Sequence, residues 1–200
     1  QAVPGQGCIG LTFCPGKTQP GAMTGAWARD LARDCDTIRD WGATAVVTLI
    51  EDHEIAALQV CALGEDVRRR HMAWHHLPIR DVATPGAAFE AAWRTVGGQL
   101  RHRLLSGFDV LVHCKGGLGR AGTIAARLLA ELGVPPADAI ARVRAARPGA
   151  VETAAQERHI LAIRPVTPSL PDTSTTAVLD RATGALLGLA VGDAVGTTLE

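Results

Sequence analysis

The sequence predicts an α/β fold in which helices flank a central, mostly parallel sheet. Three observations support this prediction. The run 43–50 is apolar and β-branched, which suits a buried strand, and the runs 72–79 and 108–113 are predicted as two further strands. Segments with helical spacing of apolar residues separate these runs, and strands that alternate with helices form parallel sheets. A glycine-rich stretch, 115–119, follows the third run and leads into a helix.

Helical segments are predicted between and after these strands. The first, 26–41, combines regularly spaced apolar residues with charged ones and ends before Gly42. Pro136 suits the first turn of a later helix, which Arg147 and Pro148 end. The remaining segments are a short charged helix at 64–71, a long amphipathic helix at 87–106, a helix that runs from the glycine-rich stretch to about residue 132, and a last helix at 151–163.

The 200 residues are predicted to form one complete domain, 1–164, followed by a linker and a stub. A chain of this size buries about 70% of its unfolded surface, which is enough for a substantial core. Residues 165–176 contain three prolines and many serines and threonines, a composition typical of a linker. Residues 177–200 offer a single glycine-rich helix, which has too little surface to fold alone.

Charge and cysteine content limit the classes of function. The chain carries 20 basic and 20 acidic residues, which argues against general binding to nucleic acids or membranes. No apolar run approaches 18 residues, and the N-terminus lacks the basic and apolar regions of a secretory signal. Five cysteines without a Cys-x-x-Cys pair indicate reduced thiols and a cytoplasmic location.

The segment HCKGGLGRAGT, 113–123, carries the strongest chemical signal in the sequence. It combines Cys-x5-Arg, formed by Cys114 and Arg120, with a preceding His113 and three glycines between the two. Chance occurrence of this combination is on the order of 10⁻⁵ for this composition. Since the segment joins a buried strand to a helix, it lies where backbone N–H groups and the helix dipole favour an anion.

These residue types suit a phosphoryl-transfer nucleophile in a phosphate-binding loop. A helix N-terminus favours the thiolate form of Cys114. The planar guanidinium of Arg120 can donate to two phosphate oxygens, which a lysine cannot do. We expect the N–H groups of the loop to bind the remaining oxygens; the substrate-binding residues are therefore Lys115, Gly116, Gly117, Leu118, Gly119 and Arg120.

Two other patterns are weaker. Residues 117–122 fit the dinucleotide-binding pattern G-x-G-x-x-G, but Pro135 and Pro136 begin a helix where that fold needs a second strand. His75 and His76 suggest metal, yet strand neighbours face opposite sides of a sheet. We therefore expect no metal and no cofactor.

The core HCxxGxxR resembles the cysteine-dependent protein tyrosine phosphatase superfamily at the size of a dual-specificity phosphatase. The resemblance covers roughly residues 8–164 and is strongest to the branch of kinase-associated phosphatases. The segments that carry it are IGLTFCPGKT (9–18), HHLPIRDVATP (75–85), HCKGGLGRAGT (113–123) and GAVETAAQERHIL (149–161).

The resemblance implies a role for five residues. Cys114 is the nucleophile, Arg120 binds the phosphate, and His113 helps to tune the thiolate. Asp81 has the position of the general acid, on a mobile loop before the long helix. Gln156 lies where some relatives position the hydrolytic water.

Residue chemistry supports Asp81 independently. A leaving alkoxide or phenoxide needs a proton from a group on a loop that can close over the phosphate site. Asp81 follows a predicted strand and stands between Pro78 and Pro85. Because parallel strands end at one edge of a sheet, Asp81 and Cys114 are expected at the same edge.

The sequence departs from the family at two positions. Ala121 follows the arginine, where members usually carry a serine or threonine that stabilises the leaving thiolate, so breakdown of the phosphoenzyme is expected to be slow. Glu152 stands where glutamine is common, and its charge disfavours anionic substrates.

The C-terminal stub resembles the first helix of ADP-ribosylglycohydrolases. The resemblance covers GALLGLAVGDAVGTTLE, 184–200, and Glu200 has the position of an active-site acid in that family. It implies a phosphatase–glycohydrolase fusion, of which these residues alone cannot hydrolyse ADP-ribose.

The sequence thus predicts a phosphomonoester hydrolase with a phosphocysteine intermediate. Its expected substrates are phosphotyrosine proteins, with phosphoserine and phosphothreonine as further candidates, or a small phosphomonoester. Phosphate, sulfate or vanadate is expected to occupy the Cys114 loop. Two alternatives are a phosphate-binding module with low turnover and a phosphatase for a nucleotide, RNA or inositol phosphate.

Overall fold

Four parallel strands form the central sheet in the computed structural model, which describes residues 6–22 and 25–166. Their order across the sheet is β1, β6, β4, β5, so the strand that precedes the Cys114 loop is central. Two short strands, β2 and β3, pair antiparallel beside this sheet. The strands are β1 Ile9–Thr12, β2 Thr18–Gln19, β3 Trp27–Ala28, β4 Ala43–Thr48, β5 Ala73–His76 and β6 Asp109–His113.

Seven helices are formed by the described residues. They are α1 Leu31–Asp40, α2 Asp52–Ala57, α3 Leu63–Arg69, α4 Ala87–Leu105, α5 Gly119–Glu131, α6 Pro136–Ala146 and α7 Ala154–Leu161. Valines and alanines of β4 and β6 are fully buried between helices, as expected for a parallel sheet covered on both faces. The predicted α/β class with a parallel sheet is confirmed.

The register of the sheet brings four strand ends to one edge. Thr12 pairs with His113, His113 with Thr48, and Thr48 with His76, so the last residues of β1, β6, β4 and β5 lie in one row. The loops that leave these strands therefore start side by side. This edge is where the carboxyl ends of parallel strands create a binding crevice.

Helix α5 is buried along its whole length, from Gly119 to Glu131. Glycine and alanine in its sequence let neighbouring elements approach its backbone closely. Glu131 near its end accepts hydrogen bonds from Nε of Arg127 at 2.8 Å and from Nε1 of Trp93 at 2.9 Å. Because Trp93 belongs to α4, this buried network fixes α5 against the helix that follows the Asp81 loop.

Local structure differs from the prediction in the first third of the chain. The helix predicted at 26–41 begins only at Leu31, because the Asp30 side chain caps it by accepting a hydrogen bond from the N–H of Arg33. Trp27 instead lies in β3 and packs against the ring of Phe13. Strand β1 and helix α2 were not predicted, since each is short.

Most of the predicted linker, 165–176, and the whole stub, 177–200, lie outside the described residues. The domain boundaries and the glycohydrolase resemblance stay predictions. Among the described residues, no helix is long and apolar enough to cross a membrane.

Candidate active site

Cys114 begins the loop between β6 and α5 and is only 3% exposed. The N–H of Gly117 donates a hydrogen bond to its Sγ at 3.3 Å. At the other end of the loop, the first N–H groups of α5 have no acceptor within their own helix. The loop therefore presents a sulfur atom beside backbone donors that suit an anion.

Gly117 is the glycine that this loop requires most. Its φ is +75°, a conformation that costs other residues energy. A Cβ there would lie 2.5 Å from the carbonyl carbon of Thr12 and 2.6 Å from the backbone nitrogen of Phe13. Gly117 thus allows the loop to approach the end of β1, whereas a Cβ at Gly116 would meet no atom within 4 Å.

Arg120 in the first turn of α5 is held by Glu54 of α2. Its Nη1 donates to Oε2 of Glu54 at 2.5 Å and its Nη2 donates to Oε1 at 3.0 Å. Nη1 also donates to the carbonyl of Ile79 at 3.0 Å. Burial acts to raise the pKa of Glu54, but hydrogen bonds from Arg120 and the N–H of Glu51 outweigh it and lower the pKa. The buried pair therefore stays ionised at neutral pH.

Asp81 lies at the mouth of the same site, with its side chain 60% exposed. Its Oδ1 is 3.1 Å from Nη2 of Arg120 and accepts a hydrogen bond from the N–H of Val82 at 3.0 Å. The chain before it pairs with the residue that follows β4, since the N–H of Ile79 donates to the carbonyl of Leu49 at 3.0 Å. Asp81 and Arg120 are thus brought together from separate loops at one sheet edge.

His113 is fully buried below the loop, and burial lowers its pKa to about 4. Its Nε2 is 2.8 Å from Oγ1 of Thr48, which also accepts a hydrogen bond from Nε1 of Trp74 at 2.8 Å. A neutral imidazole supplies no positive charge to a thiolate. Any effect of His113 on Cys114 must come from its position and hydrogen bonding.

Gln156 is buried and its amide is engaged by the backbone. Oε1 accepts hydrogen bonds from the N–H groups of Glu152 and Thr153 at 3.0 and 3.3 Å, which caps α7. Nε2 donates to the carbonyl of Ala83 at 3.3 Å. The side chain thus connects α7 to the Asp81 loop and does not line the pocket over Cys114. Its proposed contact with water stays a prediction.

A pocket of about 260 Å³ opens over Cys114. Its volume lies near the lower end of the range for small-molecule sites, which starts at about 300 Å³. The Cys114 loop forms its floor, and the segment around β2 and β3 forms one wall. Its lining includes Lys17, Gln19, Ala22, Trp27, Asp81, Val82, Lys115, Gly116, Leu118, Arg120 and Glu152.

All five cysteines are free, but two buried ones are poor nucleophiles. Burial raises the pKa of Cys14 to about 12 and that of Cys35 to about 11, so both stay thiols at neutral pH. The described residues contain no group of three or more His, Cys, Asp or Glu that could hold a metal ion.

Ala121 is fully buried in the first turn of α5. Thr123, two residues further on, carries a hydroxyl, but its Oγ1 donates to the carbonyl of Gly119 at 2.7 Å. The hydroxyl proton is therefore already used within the helix. The N–H of Gly117 is the donor that does reach Sγ.

A family model described as the DSP-PTPase phosphatase domain of Swiss Army Knife proteins matches residues 17–160. This chain belongs to that family. The prediction of a cysteine-dependent dual-specificity phosphatase domain of the protein tyrosine phosphatase superfamily is confirmed.

Similar proteins agree with this family assignment. Cyclin-dependent kinase inhibitor 3 of Rattus norvegicus and of Homo sapiens are each 28% identical over 144 residues, which span 70% of this chain and 66% of the relative. The structure of kinase associated phosphatase with its catalytic-site cysteine replaced by serine matches with a TM-score of 0.66 and 26% identity, over 76% of this chain and 83% of that one. Tk-PTP in its active form matches with a TM-score of 0.53 and 30% identity, over 76% and 92%.

Sequence reasoning missed Glu54 and Lys17 as parts of this DSP-PTPase site. The signal for Glu54 was the acidic stretch 51–54 directly after the buried run of β4, since carboxylates at a strand end face the shared edge. No comparable signal marked Lys17, because the strand that follows it, β2, is too short to show a periodic pattern.

Replacing Glu54 tests how Arg120 is positioned. We expect Glu54→Gln to lower kcat/KM for p-nitrophenyl phosphate by up to about 100-fold, because a small displacement of a positioning group is enough for that loss. The melting temperature should also fall, since removal of one partner from a buried ion pair costs about 3–5 kcal/mol. Steady-state kinetics and thermal unfolding measure both effects.

Asp52→Asn is the matched control for this prediction. Asp52 lies in the same helix, carries the same charge and is 92% exposed away from Arg120. Equal kinetics for Glu54→Gln and Asp52→Asn would show that Arg120 holds its orientation without Glu54.

Proposed function

We propose that this chain hydrolyses phosphomonoesters through a phosphocysteine intermediate formed on Cys114. The observation that carries the proposal is the arrangement of Cys114, Arg120 and Asp81 around one pocket. Relatives support it: the solved kinase associated phosphatase carries a catalytic-site cysteine, and this chain has its Cys-x5-Arg cysteine at the floor of the pocket.

In the first step the Cys114 thiolate attacks phosphorus opposite the leaving oxygen. The S–P bond forms as the bond from phosphorus to the leaving oxygen breaks, and Asp81 donates its proton to that oxygen. Charge that develops on the other phosphoryl oxygens is stabilised by loop N–H groups and by Arg120.

Substrate binding and the acid are coupled through Arg120. Glu54 accepts hydrogen bonds from both terminal nitrogens of Arg120, Nη1 and Nη2. The guanidinium group has a second pair of donors, Nε and Nη2, which can bind two oxygens of a phosphate. Asp81 contacts Nη2 on its own, at 3.1 Å. A bound phosphate that takes Nε and Nη2 displaces Asp81 from Arg120, which frees the carboxyl group to reach the leaving oxygen.

In the second step water attacks phosphorus and Asp81 accepts its proton. The S–P bond breaks, inorganic phosphate leaves, and the thiolate of Cys114 returns. Gln156 helps indirectly, because its Nε2 bond to Ala83 ties α7 to the loop of Asp81. Neither step routes through a metal or cofactor.

The proposed substrates are phosphotyrosine proteins and small phosphomonoesters, with phosphoserine and phosphothreonine proteins as further substrates. The curated relatives are named cyclin-dependent kinase inhibitor 3, and this chain spans 66% of their length. A specific protein partner does not follow from it. A low-turnover phosphate-binding module is the second candidate, because Ala121 leaves no hydroxyl at its position to assist loss of the thiolate.

The full-length protein is further proposed to act in the cytoplasm and to continue into an ADP-ribosylglycohydrolase domain. The unpaired cysteines and the C-terminal sequence 184–200 support these two proposals. The second rests on sequence alone, since that segment lies outside the described residues.

Replacing the nucleophile tests the proposed function directly. We expect Cys114→Ser to abolish turnover of p-nitrophenyl phosphate and to retain phosphate binding, because the loop N–H groups and Arg120 remain. Turnover by the unchanged protein should be inhibited by vanadate. Colorimetric assays and titration calorimetry measure the two properties.

Cys61→Ser is the control, since Cys61 is exposed and distant in sequence from the loop. Residual activity of Cys114→Ser close to that of Cys61→Ser would remove the covalent mechanism. Phosphate binding without turnover in the unchanged protein would favour the binding module.

The leaving group tests Asp81. We expect Asp81→Asn to slow phenyl phosphate much more than 4-nitrophenyl phosphate, because the better leaving group departs without a proton. General acid catalysis contributes about 10²–10⁴-fold, so the two kcat/KM ratios should separate clearly. An equal loss for both esters would mean that Asp81 has a structural role only.

Ala121 predicts slow breakdown of the phosphoenzyme. Mixing with 4-nitrophenyl phosphate should give a burst of one nitrophenol per site before the steady rate. Ala121→Ser adds a donor to the departing thiolate and should raise the steady rate about tenfold, the effect of a charge-assisted hydrogen bond of ~1.5 kcal/mol. Rapid-mixing absorbance measures both phases.

Ala125→Ser is the matched control for Ala121→Ser. It adds a hydroxyl to the same buried helix, one turn away from the loop. A progress curve without a burst, together with identical rates for both serine variants, would show that phosphoenzyme hydrolysis does not limit turnover.

A further inference from the structure

Lys17 and Lys115 are the only lysines among the 20 basic residues of the chain, and both line the pocket over Cys114. They are 98 positions apart in sequence and meet because β1 and β6 are neighbours: Nζ of Lys17 donates to the carbonyl of Lys115 at 3.4 Å. Everywhere else the chain uses arginine. A lysine supplies a compact charge with three donors, in contrast to the planar fork of arginine.

Lys17 is a buried residue without a carboxylate partner among the described residues. The residue is 5% exposed, and its Nζ lies 3.7 Å from the ring centre of Trp27 and 5.2 Å from that of Phe13. Neither it nor Lys115 forms an ion pair within the described residues. By contrast, the buried Arg120 and Arg127 are both paired with glutamates.

One long hydrogen bond to a carbonyl leaves donor capacity of the Lys17 ammonium group unused. Burial lowers the pKa of Lys17, as expected for a cation that has lost water without gaining an anion. A buried, incompletely satisfied cation that lines a pocket calls for an anionic ligand. The pocket already holds the predicted site for one phosphate, at Arg120 and the loop.

The two carboxylates of the pocket, Asp81 and Glu152, come from other segments of the chain. Asp81 contacts Arg120, and a Cβ added to Gly119 would lie 2.1 Å from Oε2 of Glu152, so both acids lie close to the first turn of α5. Lys17 and Trp27 come from the segment around β2 and β3. This segment therefore contributes a cation and no carboxylate to the lining of the pocket.

We propose that Lys17, with Lys115, forms a second anion subsite that selects small phosphomonoesters carrying a second phosphate or carboxylate a few bonds from the first. The proposal rests on the proposed function and names its substrate class. Because Lys17 is almost completely buried inside a pocket of about 260 Å³, only an anion on the same small molecule can reach it. Acidic side chains that flank a phosphorylated residue in a protein would contact the rim instead.

Competitive inhibitors test this subsite in hydrolysis of p-nitrophenyl phosphate. The probes are inorganic phosphate and bisphosphonates with one, two or three methylene groups between the phosphorus atoms. At least one bisphosphonate should bind the unchanged protein tenfold or more tightly than phosphate, since hydrogen bonds to charged groups are worth at least this factor. The readout is the ratio of the two inhibition constants.

Lys17→Met should reduce this ratio toward one, because methionine keeps a similar apolar stem against Trp27 and removes the charge. Arg39→Met is the control: it removes one positive charge from an exposed helix position that pairs with Asp40, and it should leave the ratio unchanged. The proposal would be overturned if Lys17→Met left the ratio of inhibition constants unchanged, or if Arg39→Met lowered it as much as Lys17→Met does. If Lys17→Met does not fold, Lys17→Gln takes its place.

The unchanged protein separates this proposal from the proposed function. Hydrolysis inhibited by phosphate, with no preference for any bisphosphonate, would overturn the second subsite alone. Absence of both hydrolysis and phosphate binding would overturn the function itself. A preference for acidic phosphotyrosine peptides over neutral ones, without one for bisphosphonates, would place the second anion on a polypeptide and also overturn the subsite.

Discussion

The parallel register of the central sheet is the constraint from which the site follows. Thr12, His113, Thr48 and His76 lie in one row, and each is the last residue of its strand. The next residues of each strand therefore leave the sheet at the same edge. Lys17, Cys114, Glu54 and Asp81 reach one pocket region in this way, although they are far apart in sequence.

Burial of Arg120 at this edge is costly, and the surrounding residues offset the cost. Desolvation of a guanidinium group is compensated only when its donors are satisfied with good geometry. Glu54, the carbonyl of Ile79 and Asp81 provide those acceptors. The first two contacts are buried, whereas Asp81 is exposed, and in the proposed mechanism its contact is the one that a phosphate replaces. In the proposed mechanism the same side chain therefore links positioning, substrate binding and release of the acid.

Sequence patterns predicted the elements that carry a long or chemically specific signal. The run 108–113 and the glycine-rich stretch after it identified Cys114 and Arg120. They also identified the strand, loop and helix that carry these residues, because the three are contiguous in sequence. Glu54 and Arg120 are 66 positions apart, and no local pattern connects them. Helix 26–41 was predicted too long, because regular spacing extends back to Trp27 although the helix begins only after its N-cap, Asp30. Strands of two residues, such as β2, are too short to have a period.

The neutral state of His113 determines where the stabilisation of a Cys114 thiolate must come from. Burial holds the pKa of this imidazole near 4, and Thr48 with Trp74 completes a chain of neutral hydrogen-bonding groups beneath the loop. Stabilisation of the thiolate must then come from the charges of Arg120 and Lys17 and from the N–H of Gly117. A substrate dianion competes for those same donors. In the proposed mechanism the thiolate and the phosphate share one set of cations, so each cation that lines the pocket stabilises both of them. The buried Lys17 is consistent with this demand of the chemistry.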